Sequence, residues 1–210
     1  MLYRITYSLR NVFRLLARQQ KGAAAVEYAL VLPVFLTMTM GGFELGRIYM
    51  VNASLEGAVS EATRTAMTGN LPEAYNTRSD YIEHIVLSNL KDVNITSGIT
   101  VSMKVYESFS DIGDPEPYVD QNGNGNYDVG ECYSDINANT SWDSDMGSSG
   151  AGGEENIMVM TVDVNLPYMT SYMISMMGGK ETINLSASTV VRNEPFGGAS
   201  WEPSTSVICS

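Results

Sequence analysis

Residues 120–131 read DQNGNGNYDVGE, with oxygen-bearing side chains at alternate positions among glycines. The pattern D-x-[DN]-x-[DN]-G-x5-E is met at Asp120, Asn122, Asn124, Gly125 and Glu131. The chemistry such spacing serves is coordination of a hard cation, calcium above all, which takes about seven oxygens on a flexible loop. Asp120, Asn122 and Asn124 would offer side-chain oxygens, Asn126 its backbone carbonyl, and Asp128 a ligand through water. Glu131, with a longer arm, would close the shell with both carboxylate oxygens. Gly125 would make the sharp turn, and Tyr127 would point back into the domain.

Fifteen residues further on the design recurs. Tyr118, Asp120, Asn122, Asn124, Tyr127 and Asp128 align without a gap on Tyr133, Asp135, Asn137, Asn139, Trp142 and Asp143. Ser141 falls at the carbonyl position of Asn126. Thr140 replaces the turn glycine, and Met146 stands where the closing glutamate is due. Asp145, one residue early, is the expected substitute, so this second calcium site is expected to be weaker, absent, or merged into the first. Asp, Asn and Gly also make ordinary solvated loops, and a long acidic one can be disordered. Aromatic residues at matched places argue against that, because disorder needs no aromatic at a fixed position. Neither loop has clear flanking helices, so a non-helical scaffold is expected.

These loops lie in a strongly acidic setting. The 210-residue chain has a net charge of −12, yet residues 1–22 carry Arg4, Arg10, Arg14, Arg18 and Lys21 and no acid. The remainder holds 7 basic and 24 acidic residues, and twelve of those acids fall between Glu107 and Glu155, where there is no Lys or Arg. Such a segment repels polyanions, which excludes nucleic acid as a partner, and attracts cations. The two cysteines, Cys132 and Cys209, are too few for a disulfide framework. One bridge is possible outside the cytoplasm, though nothing local to either residue establishes that they meet.

The element that must carry this acidic body is apolar. Residues 23–43 contain one charge, Glu27, and are about long enough to span a bilayer. The basic residues in front keep the N-terminus cytoplasmic and send the remainder outward. No small-x-small cleavage site of a secretory signal follows the apolar run before Glu44. Glu27 is then the anomaly, since a carboxylate costs roughly 3 kcal/mol at a bilayer centre. It is the fifth residue after Gly22, which itself follows Lys21, and Tyr28 comes next. A cut between Gly22 and Ala23 would free an α-amino group one helical turn from Glu27, and the amine of one subunit could neutralise Glu27 of its neighbour. The simpler reading is a glutamate that snorkels to the interface. Pro33 is expected to kink the helix. Gly42-x-x-x-Gly46 could admit a second helix, a weak signal by itself.

The segment GAAAVEYALVLPVFLTMTMGGFELGRIYMVNASLEGAVSEATRTA resembles the N-terminal motif of TadE-like pilus proteins, of the Tad/Flp branch of type IV pilins. It shares the Glu27-Tyr28 pair, Pro33, the group from Glu44 through Gly46 to Arg47, and the group from Glu61 to Arg64. The likeness covers about residues 20–68. It implies a type IV pilin-like α+β fold, in which a long N-terminal membrane helix continues into an external domain with a small antiparallel sheet. It also implies a minor pilin or pseudopilin that a prepilin peptidase cuts after Gly22. The implied partners are other pilins, that peptidase, the inner-membrane assembly platform and lipid. The implied place is the bacterial inner membrane, with the C-terminal domain periplasmic or on an extracellular pilus. TadE-like relatives are similar in carrying repeated Asp/Asn/Gly segments.

The organisation expected is a leader at 1–22, a membrane and stalk helix at 23–68, an α+β domain at 69–194 with the calcium-binding insertion at 110–155, and a tail at 195–210. Ile48, Val51, Leu55, Val59, Ala62 and Ala66 recur at helical steps, and Gly69 is placed to end the helix. Asp80-x-x-Glu83 predicts a capping box and a helix through about Leu90. Residues 99–109, 156–168 and 181–193 alternate as strands, with Val101, Met103, Met158, Met160, Ile183 and Leu185 on inner faces. Residues 168–178 predict a short helix, and the Gly/Ser/Pro-rich tail an irregular one anchored by Trp201 and Cys209. His84 is the only histidine, and there is no P-loop, HExxH or Cys/His zinc pattern. A non-enzymatic protein without a small-molecule substrate is expected. The competing reading is a calcium-binding adhesion module on an uncut signal anchor.

Overall fold

The structure is a computed structural model that describes residues 22–176, 178–197 and 201–209. The basic leader expected at 1–22 lies outside them except for Gly22. Helix α1 runs as one element, Ala23–Met67, and the chain divides within it into two compact units, residues 1–47 and 48–210.

In the first unit, Val26, Tyr28, Leu30, Val34 and Phe35 are all exposed. A helix apolar on every side has lipid or other helices as its natural solvent. Residues 24–67 include a stretch long and apolar enough to cross a membrane. The helix continues through Pro33. Thr37 Oγ1 donates to the Pro33 carbonyl at 2.8 Å and Thr39 Oγ1 to the Phe35 carbonyl at 2.9 Å, so these hydroxyls are satisfied without water. Arg47 and Glu44 pair across one turn at 3.6 Å.

The second unit is α+β. Val51, Leu55, Ala58, Ala62 and Ala66, at helical spacing on α1, are buried. They share a core with Ile82, Val86 and Leu90 of α2 (Arg78–Asp92) and with the inner row of a four-stranded antiparallel sheet. Its strands are β1 (Ile99–Tyr106), β3 (Ser148–Ser149), β4 (Ile157–Pro167) and β5 (Thr182–Arg192), in the order β3-β1-β4-β5. A separate pair joins β2 (Tyr133–Asp135) to β6 (Ser206–Ile208). A short helix, α3 (Ser171–Met176), lies between β4 and β5. β4 is central because its even-numbered residues are uniformly apolar: Met158, Met160, Val162, Val164 and Leu166 are all buried. Met103 lies opposite Met160 on one side, and Ala187 opposite Val162 on the other.

The helix start expected at Asp80 falls three residues earlier. Thr77 is the N-cap, extended at φ −130°, and its side chain accepts from the Asp80 N–H at 3.1 Å. At the end of α1, Gly69 has φ +66°, and its N–H bonds the Ala66 carbonyl at 3.3 Å. A Cβ there would lie 2.3 Å from the Phe196 ring, so the position needs glycine for space as well as conformation. The Ala66 carbonyl also receives Arg78 Nη2, whose guanidinium lies 4.5 Å over the Phe196 ring. Burial holds the Arg78 pKa below its usual value. A cation on the last carbonyls of a helix is favourable there.

The tail is more ordered than its composition suggests. Asn156 grips Trp201 by both of its backbone groups, at 2.8 and 2.9 Å. Residues 206–208 then pair with β2, and Cys209 is bonded to Cys132.

Candidate functional site

The acidic loop is built by its own side chains on its own backbone. In the first loop, Asp120 Oδ1 accepts from the N–H of Gly123 at 2.6 Å, and Oδ2 from that of Gly125 at 2.7 Å. The Gly125 N–H is the chief cause holding the Asp120 carboxyl below its ordinary pKa. Asn122 Nδ2 and Asn124 Nδ2 converge on one oxygen, Asp128 Oδ2, at 2.6 and 2.7 Å. The Asn126 N–H bonds Asn124 Oδ1 at 2.7 Å. Glu131 straps the loop shut, with Oε1 accepting from the Gln121 N–H at 2.9 Å and Oε2 from the Asp128 N–H at 3.0 Å.

The second loop repeats most of these bonds. Asp135 Oδ1 and Oδ2 accept from the Asn139 and Thr140 N–H groups, each at 3.0 Å. Asn137 Nδ2 and Asn139 Nδ2 meet on Asp143 Oδ2 at 2.8 and 2.6 Å, and the Ser141 N–H bonds Asn139 Oδ1 at 2.7 Å. The strap is Glu116, which is fully buried. Its Oε1 accepts from the Ile136 N–H at 2.8 Å and its Oε2 from the Asp143 N–H at 3.1 Å, matching the role of Glu131 position for position.

Asp145, expected to close this loop, is engaged elsewhere. Its carboxylate accepts from Lys104 Nζ at 2.6 Å and from the Tyr106 hydroxyl at 2.8 Å. Burial opposes its ionisation, but the bonds from Lys104, Tyr106 and the Gly147 N–H outweigh it and hold its pKa low. Burial first, and then Asp145, push the Tyr106 phenol well above its usual range. The signal that marks Glu116 is in the repeat itself. The 15-residue alignment extends two places upstream of Tyr118 and Tyr133, where Glu116 matches Glu131. Each repeat therefore begins with the glutamate that closes the loop of the other.

The two loops are joined face to face. Tyr118 and Tyr133 form an antiparallel bridge, flanked by the bonds Val119 N–H to Cys132 carbonyl and Ser134 N–H to Pro117 carbonyl, each 2.8 Å. Residues 117 and 132 are equivalent in the repeat, as are 119 and 134, so the two flanking bonds are related by a local twofold. Tyr127 and Trp142 stack at 4.5 Å between ring centres, with Tyr118 edge-on to both and Tyr133 edge-on to Tyr127. Trp142 Nε1 donates to the Glu116 carbonyl at 3.0 Å. Next to the bridge, the Cys132–Cys209 disulfide fixes β6 to β2.

The backbones repeat too. Gly123 and Ala138 have φ +74° and +60°, and Gly125 and Thr140 have φ +77° and +66°. Thr140 is β-branched in a left-handed conformation that glycine adopts freely. Thr140→Gly is expected to raise stability by about 0.5–1 kcal/mol, strain relief exceeding the added freedom of the unfolded chain. Gly125→Ala, whose Cβ meets nothing within 4 Å, should lower it by about 1 kcal/mol through strain alone. Urea unfolding of the two variants checks both signs.

Among the described residues, no three His, Cys, Asp or Glu side chains form a group able to hold a metal. Each loop instead carries two aspartates and a strapping glutamate, tied to backbone N–H groups and Asn amides. On the first unit, Gly22, Glu27 and Tyr28 are exposed, as are Gly42 and Gly46, where nothing stands within 4 Å of an added Cβ.

A long apolar N-terminal helix and a small antiparallel sheet define an α+β protein compatible with membrane anchoring. Residues 22–64, about a fifth of the chain, match the family model described as TadE-like protein. No curated protein and no solved structure matches the chain.

Proposed function

We propose that the chain is a minor pilin or pseudopilin of a Tad-type pilus, cut after Gly22 by a prepilin peptidase and acting in pilus assembly and surface adhesion. The observation that carries this is the family match, which begins at Gly22 and takes in Glu27, Pro33 and the Glu44–Arg47 pair. Glu27 stands exposed among Val26, Tyr28 and Leu30 on a helix with no other charge before Glu44. In lipid such a carboxylate is costly unless a cation reaches it. The amine freed at Ala23 of a neighbouring subunit is that cation. Each charge then offsets the desolvation of the other and fixes subunit register. The N-terminus before the cut is cytoplasmic and the acidic body lies outside, beside other pilins and the assembly platform.

The intact mass of the protein extracted from its native membrane tests this. A chain starting at Ala23 is expected. A retained leader overturns processing and leaves the adhesion module on an uncut anchor as the reading. Glu27→Ala should insert in the membrane as well as the parent and fail to join its partners.

Calcium in the acidic loops belongs to the same reading. The donors are hard oxygens, and in each loop two amides already converge on one carboxylate oxygen. Turning those amides end for end presents their oxygens to the same point. Beside its backbone bonds Glu131 keeps a spare lone pair on each oxygen, and Glu116 keeps one on Oε2. Asp120, Asn122, Asn124, Asn126, Asp128 and Glu131 would hold one ion. Asp135, Asn137, Asn139, Ser141, Asp143 and Glu116 would hold the other, which gives the second loop a full set without Asp145. The ions would offset the mutual repulsion of the carboxylates and rigidify the loops. With the Kd of about 10⁻⁴–10⁻³ M usual in extracellular modules, 10 mM calcium stabilises by about 1.4–2.7 kcal/mol per loop. Melting should therefore rise by roughly 3–10 °C per occupied loop from chelator to calcium. An unchanged midpoint removes the claim.

A further inference from the structure

The sheet has one long open edge. β5 pairs with β4 over eleven residues without a bulge, and among the described residues no strand lies on its other side. The direction of its free groups follows from two bonds. Tyr168 N–H donates to the Glu181 carbonyl at 3.0 Å and Asn193 N–H to the Asn156 carbonyl at 2.9 Å. Odd-numbered residues of β5 therefore bond β4, and the even-numbered ones, 182 to 192, turn their N–H and C=O groups away from it. Pro167, which has no N–H, sits opposite Thr182, where no β4–β5 bond is required.

Exposed edges are usually blunted by a lysine, a proline, a bulge or shortness. Residues 182–191 carry no charge and no proline. The inner row beside the edge, Ile183, Leu185, Ala187 and Val191, is packed on the core yet only half-buried. We propose that β5 is a self-pairing edge, and that two copies of this chain join antiparallel through it about Ala187.

That register is the one the strand itself favours. Centring on Ala187 places Thr182 opposite Arg192, Asn184 opposite Val190 and Ser186 opposite Ser188. All are even-numbered, so outward-facing groups meet outward-facing groups. The odd pairs are Ile183 with Val191, Leu185 with Thr189, and Ala187 with itself, so the half-exposed inner rows cover each other. A shift by one residue breaks both matches at once. The ends agree as well. Lys180 and Glu181 precede the strand, and Arg192 and Glu194 close it, all exposed. Antiparallel pairing sets Lys180 beside Glu194 of the other copy on the same outer face, twice over by symmetry. An unrelated strand would satisfy the backbone but not this charge pattern. The inference does not depend on processing at Gly22 or on calcium.

The test uses the full chain in membranes and detergent. Both native cysteines are bonded, so an added thiol is unique. Ala187→Cys falls on the axis at a non-hydrogen-bonded pair, where Cα atoms stand about 4.5 Å apart, within disulfide reach. Mild oxidation should give a covalent dimer linked 187 to 187, at least about tenfold more than Ser188→Cys or Val190→Cys gives. No dimer, equal linkage along β5, or linkage to a different protein overturns the proposal. Ser186→Pro removes an outward N–H and spares the β4 bonds, so it should abolish the dimer at nearly unchanged melting. A Ser186→Pro chain that dimerises as before overturns it equally. Lys180→Glu should weaken association about fivefold, and adding Glu194→Lys should restore it.

Discussion

Loss of the Cys132–Cys209 bridge is expected to destabilise the domain by about 4.5 kcal/mol. The bond spans 77 residues, and the freedom that a cross-link removes from the unfolded chain grows with the logarithm of that span. The folded side has little to offset the loss. β6 is three residues long and pairs only with β2, and the nearest further backbone bond is from Ser204 N–H to the Ile136 carbonyl at 2.9 Å. Bonds of that kind contribute about 1 kcal/mol each, net of water. The double variant Cys132→Ser with Cys209→Ser should therefore show a much lower urea midpoint. The Val207 and Ile208 amides should exchange fast while those of Met160 and Val162 stay slow. A loss below about 1 kcal/mol would mean that the pairing alone holds the tail.

The second large effect is at Glu116. Its carboxylate accepts backbone N–H groups of Ile136, Asn137 and Asp143 at 2.8, 3.3 and 3.1 Å, without exposure to solvent. Glu116→Ala strands those donors where water cannot replace the lost oxygens, each at about 1–3 kcal/mol. A total of about 3–5 kcal/mol is expected, in chelator as in calcium. Glu116→Gln keeps the shape and one acceptor but turns an amide N–H towards the Asp143 N–H, and should cost about half as much. On the calcium reading, it should also remove the second loop's share of the calcium-dependent rise in melting and leave that of Glu131. Glu131 is slightly less buried and straps with two bonds rather than three, so Glu131→Ala should cost less. Equal losses for the two alanine variants would contradict that ordering.

The helix and the long strands were legible because each obeys one period throughout. The row from Val51 to Ala66 and the row from Met158 to Leu166 each alternate on a fixed step, and both rows are buried. Boundaries were less so. Thr77-x-x-Asp80 and Asp80-x-x-Glu83 fit the same capping pattern, and only the extended backbone at Thr77 separates them. β2, β3 and β6 were missed because two or three residues are too few to show a period. The described tail is irregular apart from β6, as Gly, Ser and Pro signal. It is held at Trp201 by the Asn156 amide and at Cys209 by a covalent tie, the two anchors expected. In the loops, residues at the ligand spacing meet through hydrogen bonds, Asn122 and Asn124 on Asp128, and Asn137 and Asn139 on Asp143. The strap of the second loop was looked for downstream, where a linear motif ends. Glu116 lies upstream because the two repeats exchange their closing residues, which no single-loop pattern encodes.

That exchange bears on how such a chain could gain or lose the module. A single fifteen-residue unit is unfinished, since its own glutamate is aimed at a neighbour that is no longer there. Deleting one unit would leave a turn whose missing clasp sits on another molecule, an invitation to swap segments between chains. Insertions and losses here are therefore tolerable only in complete pairs.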